Sequence, residues 1–323
     1  MIPLALKRLL PFYAWRWRRR YRVMLDEISA VAKSVSFGQE GNVPWIEDQR
    51  SGLRFYGFWT EPKNAELYDV LGDALPASIA KPYFRLVKDY ITRFRYPHMR
   101  PDLKPAGGGP GEMWGFHGQH KDGIAEVPDD VARERLLAAF RPKPDDVIID
   151  GGAFIGMGDI RMAGDLPSGC IIAVEATRAC YDLLTRNVAH NIATNVKPLH
   201  AAVWSNAGTL DIDTGYVQAN SLISSVSKGD ATESVETISI DEIVNRFALD
   251  RVTMLSLTLN GAEVEAIEGA KRTLRRHRPR IRLAGWYSRD GRAISQITRE
   301  RLERQDYDVF VGPRGNVMAL PRT

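Results

Sequence analysis

The chain has little of what would assign its class at once. Only two cysteines, Cys170 and Cys180, occur in 323 residues, too few for a disulfide framework or a four-ligand zinc site. Cys170 falls in an expected buried strand and Cys180 in the helix after it. Both are therefore expected to be reduced core thiols, which suits a cytosolic compartment. No stretch approaches the roughly 18 consecutive apolar residues of a membrane-spanning helix. A secretory leader needs an uninterrupted apolar segment and a small-residue cleavage site, and the first residues offer neither. Charge of one sign is not in excess either: 44 Lys and Arg face 40 Asp and Glu, a net charge of +4.

What is present is ordinary in bulk and uneven in detail. Hydrophobic residues make up 44% and charged residues 26%, as in soluble globular proteins. The length allows one large α/β domain with an extension, or two modest domains. Lys7, Arg8, Arg16, Arg18, Arg19, Arg20 and Arg22 crowd the beginning, interleaved with Leu9, Leu10, Phe12, Tyr13, Trp15, Trp17 and Tyr21. Residues 4–22 thus read as a basic amphipathic segment. Its aromatics can lie on an anionic membrane surface, pack on the protein, or meet a second copy in a homodimer. The chain is expected in the cytoplasm, with peripheral membrane contact as an open alternative. A second basic run, Lys271, Arg272, Arg275, Arg276, His277, Arg278, Arg280 and Arg282, is expected to be the solvated end of a helix, where cations are favoured. No nucleic-acid partner is expected.

Two regions differ in rhythm. Residues 1–144 are poorly patterned and expected to be mainly helical and aromatic. Helical spacing appears at Leu25–Ala32, Glu66–Leu71 and Tyr83–Phe94, a short strand at Leu53–Trp59, and a helix from Pro128 through Phe140. Pro and Gly at 101, 105, 107, 108, 109, 110 and 111 mark residues 101–118 as a long loop. Residues 145–323 alternate strand and helix. Strands are expected at Val147–Asp150, Ile171–Glu175, Val196–Trp204, Met254–Leu259 and Arg280–Ala284. Helices are expected near Met157–Ala163, Ala179–Asn191, Ala262–Leu274 and Ile294–Arg304. A hairpin-like insertion (Thr209–Asp213 and Val235–Ile240) and a terminal pair (Tyr307–Val311, Val317–Leu320) complete the pattern. This predicts a Rossmann-like, doubly wound, mostly parallel sheet with an antiparallel edge.

Chemistry concentrates where the first strand ends. Val147-Ile148-Ile149 runs into Asp150, then Gly151, Gly152, Ala153, Phe154, Ile155 and Gly156. Small residues there let backbone approach a ligand closely. The second strand ends in Glu175, an acid placed to accept hydrogen bonds from ribose hydroxyls. A dinucleotide pyrophosphate would meet Asp150 at the turn and be repelled. S-adenosylmethionine has no phosphate, and its ammonium and sulfonium favour an acid. An NAD-dependent reductase is the weaker alternative, because no tyrosine–lysine pair follows the fourth strand.

Taken together, these residues resemble the FkbM family of S-adenosylmethionine-dependent methyltransferases. Its D-x-G-A-x-x-G motif matches Asp150 to Gly156, and its strand-ending E-P matches Glu175-Ala176 with alanine for proline. Asn187 and Asn191 sit at the family's spacing in the next helix. T-L-D-E-L corresponds to the segment Ile238 through Ile243. K-I-D-V-E-G-A-E corresponds to Ser256 through Glu263, and L-x-G-A to Ile267 through Ala270. The resemblance covers about Asp145 to Leu320. It implies S-adenosylmethionine as cofactor and O-methylation of a sugar, glycan or small-metabolite hydroxyl. It also implies cofactor contacts at Asp150, Gly151, Gly152, Ala153, Gly156, Glu175, Ala176, Ser221 and Thr258. Asn260 and Glu263 are candidate catalytic residues.

The departures concern catalysis. Thr258 and Asn260 stand where the family has carboxylates, and neither is a base at neutral pH. Leu283-Ala284-Gly285-Trp286 carries no acid after the fifth strand. His117 and His120 are the remaining general-base candidates; a zinc role would require a third ligand such as Asp122 or Glu112, and no metal is expected. A cofactor-binding scaffold without turnover is the alternative these departures keep open.

Overall fold

The computed structural model describes residues 31–59, 83–91, 136, 138–214, 221–223, 232–312 and 315–322. Residues 4–22, the 101–118 loop, His117 and His120 lie outside them. Among the described residues no helix is long and apolar enough to cross a membrane. The chain divides into two compact units, and residues 136 and 138–144 belong with the second.

The first unit carries strands β1 (Val35–Glu40), β2 (Val43–Asp48) and β3 (Arg54–Tyr56) and helix α1 (Phe84–Asp89). The strands form an antiparallel sheet in the order β1-β2-β3. Along β2 burial alternates, so Pro44, Ile46 and Asp48 face inward. Buried Asp48 is tolerated because its partners surround it: Tyr90 Oη donates at 2.6 Å, Ser51 Oγ at 2.7 Å and Ser51 N at 2.9 Å. The expected region of helices and aromatics thus also holds a small sheet. Strand β1 escaped detection because Gly38, Gln39 and Glu40 interrupt its apolar pattern.

In the second unit the order is β4 (Val147–Gly151), α2 (Met157–Ala163), β5 (Cys170–Glu175), α3 (Arg178–His190), β6 (Val196–His200), β7 (Ala202–Trp204), β8 (Gly208–Asp213), β9 (Thr232–Ser239), α4 (Ile240–Arg246), β10 (Met254–Leu257), α5 (Glu263–Glu268), α6 (Lys271–His277), β11 (Arg280–Leu283), β12 (Ser288–Arg289), β13 (Arg292–Ala293), α7 (Ile294–Glu303), β14 (Tyr307–Val311) and β15 (Val317–Pro321). Seven strands form one sheet in the order β14-β15-β11-β10-β4-β5-β6. Strands β6, β5, β4, β10 and β11 pair in parallel, and β15 is antiparallel to both its neighbours. This is the Rossmann-like architecture expected from the alternating pattern. Ile149, Ile172, Leu255, Leu257, Ile281 and Leu283 face helices that contribute Ile240, Ile243, Ile267, Leu274 and Leu302. Each such burial contributes about 1.5–3 kcal/mol before entropy is counted. Both cysteines are free thiols; Cys180 is buried and Cys170 half-buried.

Four expectations change in detail. The third strand does not run unbroken from Val196 to Trp204. It breaks at Ala201, whose N–H donates to Glu175 O, and β7 leaves to pair with β9 in a separate β7-β9-β8 sheet. Helix α4 was missed, although Ser239 and Glu242 form the reciprocal capping box that marks such a start. The helix expected over Ala262–Leu274 is two helices, because Asp241 accepts from Thr273 N and Arg272 N and restarts the chain as α6. The basic run is only partly solvated. Arg278 donates to the carbonyls of Gln305 and Asp306 and lies 4.9 Å from the Tyr307 ring centre. Arg280 is buried against Asp146. Burial pushes the Asp146 carboxyl up, but the bonds from Arg280 and Lys143 N prevail and hold it below the usual range.

Gly269 joins α5 and α6 at a point of close packing. A Cβ there would lie 2.4 Å from the Trp204 carbonyl oxygen and 3.0 Å from Ser239 Cβ. Backbone cannot yield as a flexible side chain can. Gly269→Ala is expected to destabilise the protein by about 1–3 kcal/mol, measured as a lowered denaturation midpoint at unchanged slope.

Candidate functional site

The chain goes from β4 to β5 on one side and to β10 on the other, so the carboxyl ends of β4 and β10 flank the switch point where doubly wound sheets bind ligands. The chain leaves β4 through an irregular turn with Gly152 at φ 84°, Phe154 at φ 57° and Gly156 at φ 75°. Glycine at 152 is dictated by the sheet: a Cβ would sit 2.2 Å from Thr258 O.

Several elements hold this turn. Gly152 N and Ala153 N both donate to Val174 O, at 2.9 and 3.0 Å, and Thr258 N donates to Gly151 O at 2.9 Å. Buried Asn187 on α3 donates from Nδ2 to Ile155 O at 2.8 Å. Glu175 closes the arrangement. Its Oε2 accepts from Phe154 N at 2.9 Å, and its Oε1 accepts from Thr177 N and Thr177 Oγ1 at 3.0 and 2.9 Å. The strand-ending acid is therefore part of the turn's framework. Asp150 stands half-buried just before the turn.

Beyond β10 the backbone makes a second turn, with Asn260 at φ 51° and Gly261 at φ 111°. Glu263 lies beneath it, fully buried. Its two carboxylate oxygens accept from Leu259 N at 2.8 Å and Gly261 N at 3.0 Å. Burial pushes its carboxyl up to about 7, against the pull of those backbone donors. Ser221 Oγ donates to Asn260 O at 2.7 Å and accepts from Ile223 N at 3.1 Å, which ties the insertion to this turn. Ala176 packs beside Ile212 and Val235 of that insertion. Arg289 pairs with Glu265 and donates to Gly261 O at 2.7 Å, and Tyr287 Oη approaches Asn260 Oδ1 at 3.4 Å.

The fold thus brings Asp150, Gly151, Gly152, Ala153, Gly156, Glu175 and Thr258 to one edge, with Ser221, Asn260 and Glu263 linked through the second turn. Sequence reasoning missed Thr177, Tyr287, Arg289 and His200. The His200 ring stacks on Tyr181 with centres 4.8 Å apart, and it is the register partner of Glu175. None of these belonged to a motif: strand pairing reveals the place of His200, and side-chain bonds to Glu175, Asn260 and Glu265 reveal those of Thr177, Tyr287 and Arg289. Among the described residues no group of three or more His, Cys, Asp or Glu is poised to hold a metal ion.

Residues 150–309 match the methyltransferase FkbM domain family. The curated methyltransferase sdnD of Sordaria araneosa is 28% identical over 153 residues, covering 38% of this chain and 59% of that protein. The chain thus spans little more than half the length of this relative. Among solved structures, the methyltransferase FkbM from Methylobacillus flagellatus KT has 18% identity and a TM-score of 0.41 over 56% of this chain and 44% of that one. A SAM-dependent methyltransferase from Aquifex aeolicus has 14% identity and a TM-score of 0.34, over 58% and 86%.

Glu263 gives the site a pH signature. Its folded value of about 7 lies above the ordinary 4.5, so the folded state holds the proton more tightly than the unfolded chain. The resulting stability is fully present below the ordinary value and is lost as pH rises through about 7. Glu263→Gln is expected to flatten the fall in melting temperature between mildly acidic and alkaline pH, followed by calorimetry across that range.

Proposed function

Residues 150–309 belong to the methyltransferase FkbM domain family, and from that premise we propose that the protein methylates a hydroxyl group of a sugar, glycan or small metabolite with S-adenosylmethionine. The observation that carries this reading is the acid-first glycine turn, bonded through Phe154 N to Glu175 beside the switch point. The donor chemistry fits the cofactor. Asp150 and Glu175 present carboxylates, and the stretch from Asp150 to Ile160 contains no Lys or Arg. Such a set suits an ammonium, a sulfonium and ribose hydroxyls, whereas a pyrophosphate would face like charge.

In this reading Asp150 attracts the amino-acid end of the cofactor and Glu175 the ribose. Gly151, Gly152, Ala153 and Gly156 keep side chains out of its way, and Ala176, Ser221 and Thr258 border it. The bound cofactor supplies a methyl group on a positively charged sulfur. The protein contributes mainly positioning. Thr258 and Asn260 orient the acceptor hydroxyl by hydrogen bonding. Glu263 serves the turn beneath them, fully enclosed with its oxygens on Leu259 N and Gly261 N. His117 and His120 are the sequence candidates for taking the acceptor's proton, and both lie outside the described residues.

Thr258 and Asn260, in place of carboxylates, favour a second reading: a scaffold that binds the cofactor without turnover. Calorimetric titration with S-adenosylmethionine, followed by labelled-methyl transfer to a panel of hydroxylated acceptors, separates the two. Binding with transfer supports the enzyme, and binding without transfer to any acceptor supports the scaffold. Absence of binding sinks both. Glu175→Ala removes a charged acceptor and is expected to weaken cofactor binding by about 10- to 100-fold, the equivalent of roughly 1.5–3 kcal/mol, read in the same titration.

A further inference from the structure

Asp150 does not stand alone on its face of the sheet. Its register partner on β10 is Ser256, and the partner of Ser256 on β11 is Arg282. Side chains in register on neighbouring strands share a face, so these three form a polar row across the middle of the sheet. The row is apolar on both flanks, with Met318 on β15 beyond Arg282 and Ala173 on β5 beyond Asp150. Neighbouring strands lie about 4.8 Å apart, which puts the Arg282 and Asp150 backbones roughly 10 Å from each other. A long arginine and a short aspartate can close that gap above the small Ser256.

Two further observations bear on the arginine. Burial pushes its guanidinium down to about 10, and the charge of Asp150 pulls in the other direction. Its Nη1 is buried without a hydrogen-bond partner among the described residues. Such a side chain is a poor device for stability, since a charge taken out of water needs well-placed partners to compensate it. What distinguishes its position is the carboxylate at the other end of the row.

We propose that Arg282 is the positioning residue for Asp150: reaching over Ser256, its guanidinium keeps the Asp150 carboxylate aimed at the Gly151–Gly156 turn, where that carboxylate meets the cationic amino-acid end of the cofactor. The proposal rests on the cofactor reading given above. It assigns to this chain a polar row laid across three strands, whose arginine lies outside the motifs of the linear sequence.

Relocating the charge tests it. S-adenosylmethionine is titrated calorimetrically into the full chain, into Arg282→Met, and into Arg282→Met combined with Ser256→Lys. The single variant is expected to bind about tenfold or more weakly, as when a buried charge loses its partner. The double variant places a lysine directly beside Asp150 and is expected to recover most of that loss, which a packing role for Arg282 would not produce. Arg282→Gln keeps the polar character and much of the length but drops the charge. It is expected to bind as weakly as Arg282→Met, and it serves if the methionine variant does not fold. A folded double variant no better than the single one overturns the proposal, as does Arg282→Gln binding as tightly as the wild type. A wild-type protein that binds no S-adenosylmethionine overturns the cofactor reading and this role together. Wild-type binding that Arg282→Gln leaves unchanged overturns this role alone.

Discussion

The carbonyl oxygen of Thr258 leaves no room for a side chain on residue 152, and much of the second unit follows from that approach. Strand β4 is hydrogen-bonded on both sides, by β5 and β10, so its exit must pass between two other strand ends. Only backbone fits there. The turn then takes three left-handed residues in succession along the chain, at 152, 154 and 156. Its N–H groups are met by Val174 O and Glu175 Oε2. A wider exit would have filled the crevice with side chains and closed it to a ligand.

Charge is buried at both ends of the sheet, with different physical consequences. At the amino ends, Arg280 and Asp146 satisfy each other directly, and the pair is an internal fastening of β11 to the start of β4. At the carboxyl ends, Asp150, Glu175 and Glu263 outnumber the cations, and backbone N–H groups do most of the compensating at Glu175 and Glu263. Backbone donors stabilise a carboxylate without cancelling its charge. The edge therefore stays electronegative at Glu175, while Glu263, fully enclosed, is pushed toward neutrality.

The frame of the second unit was legible because its strands obey simple rules. Buried parallel strands read as near-continuous apolar runs: β5 (Cys170–Glu175) is apolar up to its terminal acid, and β10 (Met254–Leu257) is interrupted only by Ser256. Helix α2 was expected at Met157–Ala163 and is found there. Errors arose where continuity of pattern and continuity of structure part. Ala202-Val203-Trp204 is apolar enough to extend β6, yet it pairs with β9. Ile267 through Leu274 keeps helical spacing across a break imposed by Asp241 and Gly269, residues that act from outside the period. In the basic run, charge alone could not separate solvated Arg275 and Arg276 from Arg280, which is buried by a carboxylate 134 positions away.

By itself the sequence determined the alternating fold, the position of the glycine turn and the two strand-ending acids, because burial and backbone freedom act over a few neighbouring residues. Tertiary structure alone decided that Glu175 belongs to the framework of that turn, that Glu263 is enclosed beneath Asn260, and that Arg282 shares a row with Asp150. Those outcomes depend on strand order and register, which place side chains from distant segments within reach of one another. No local pattern encodes that distance.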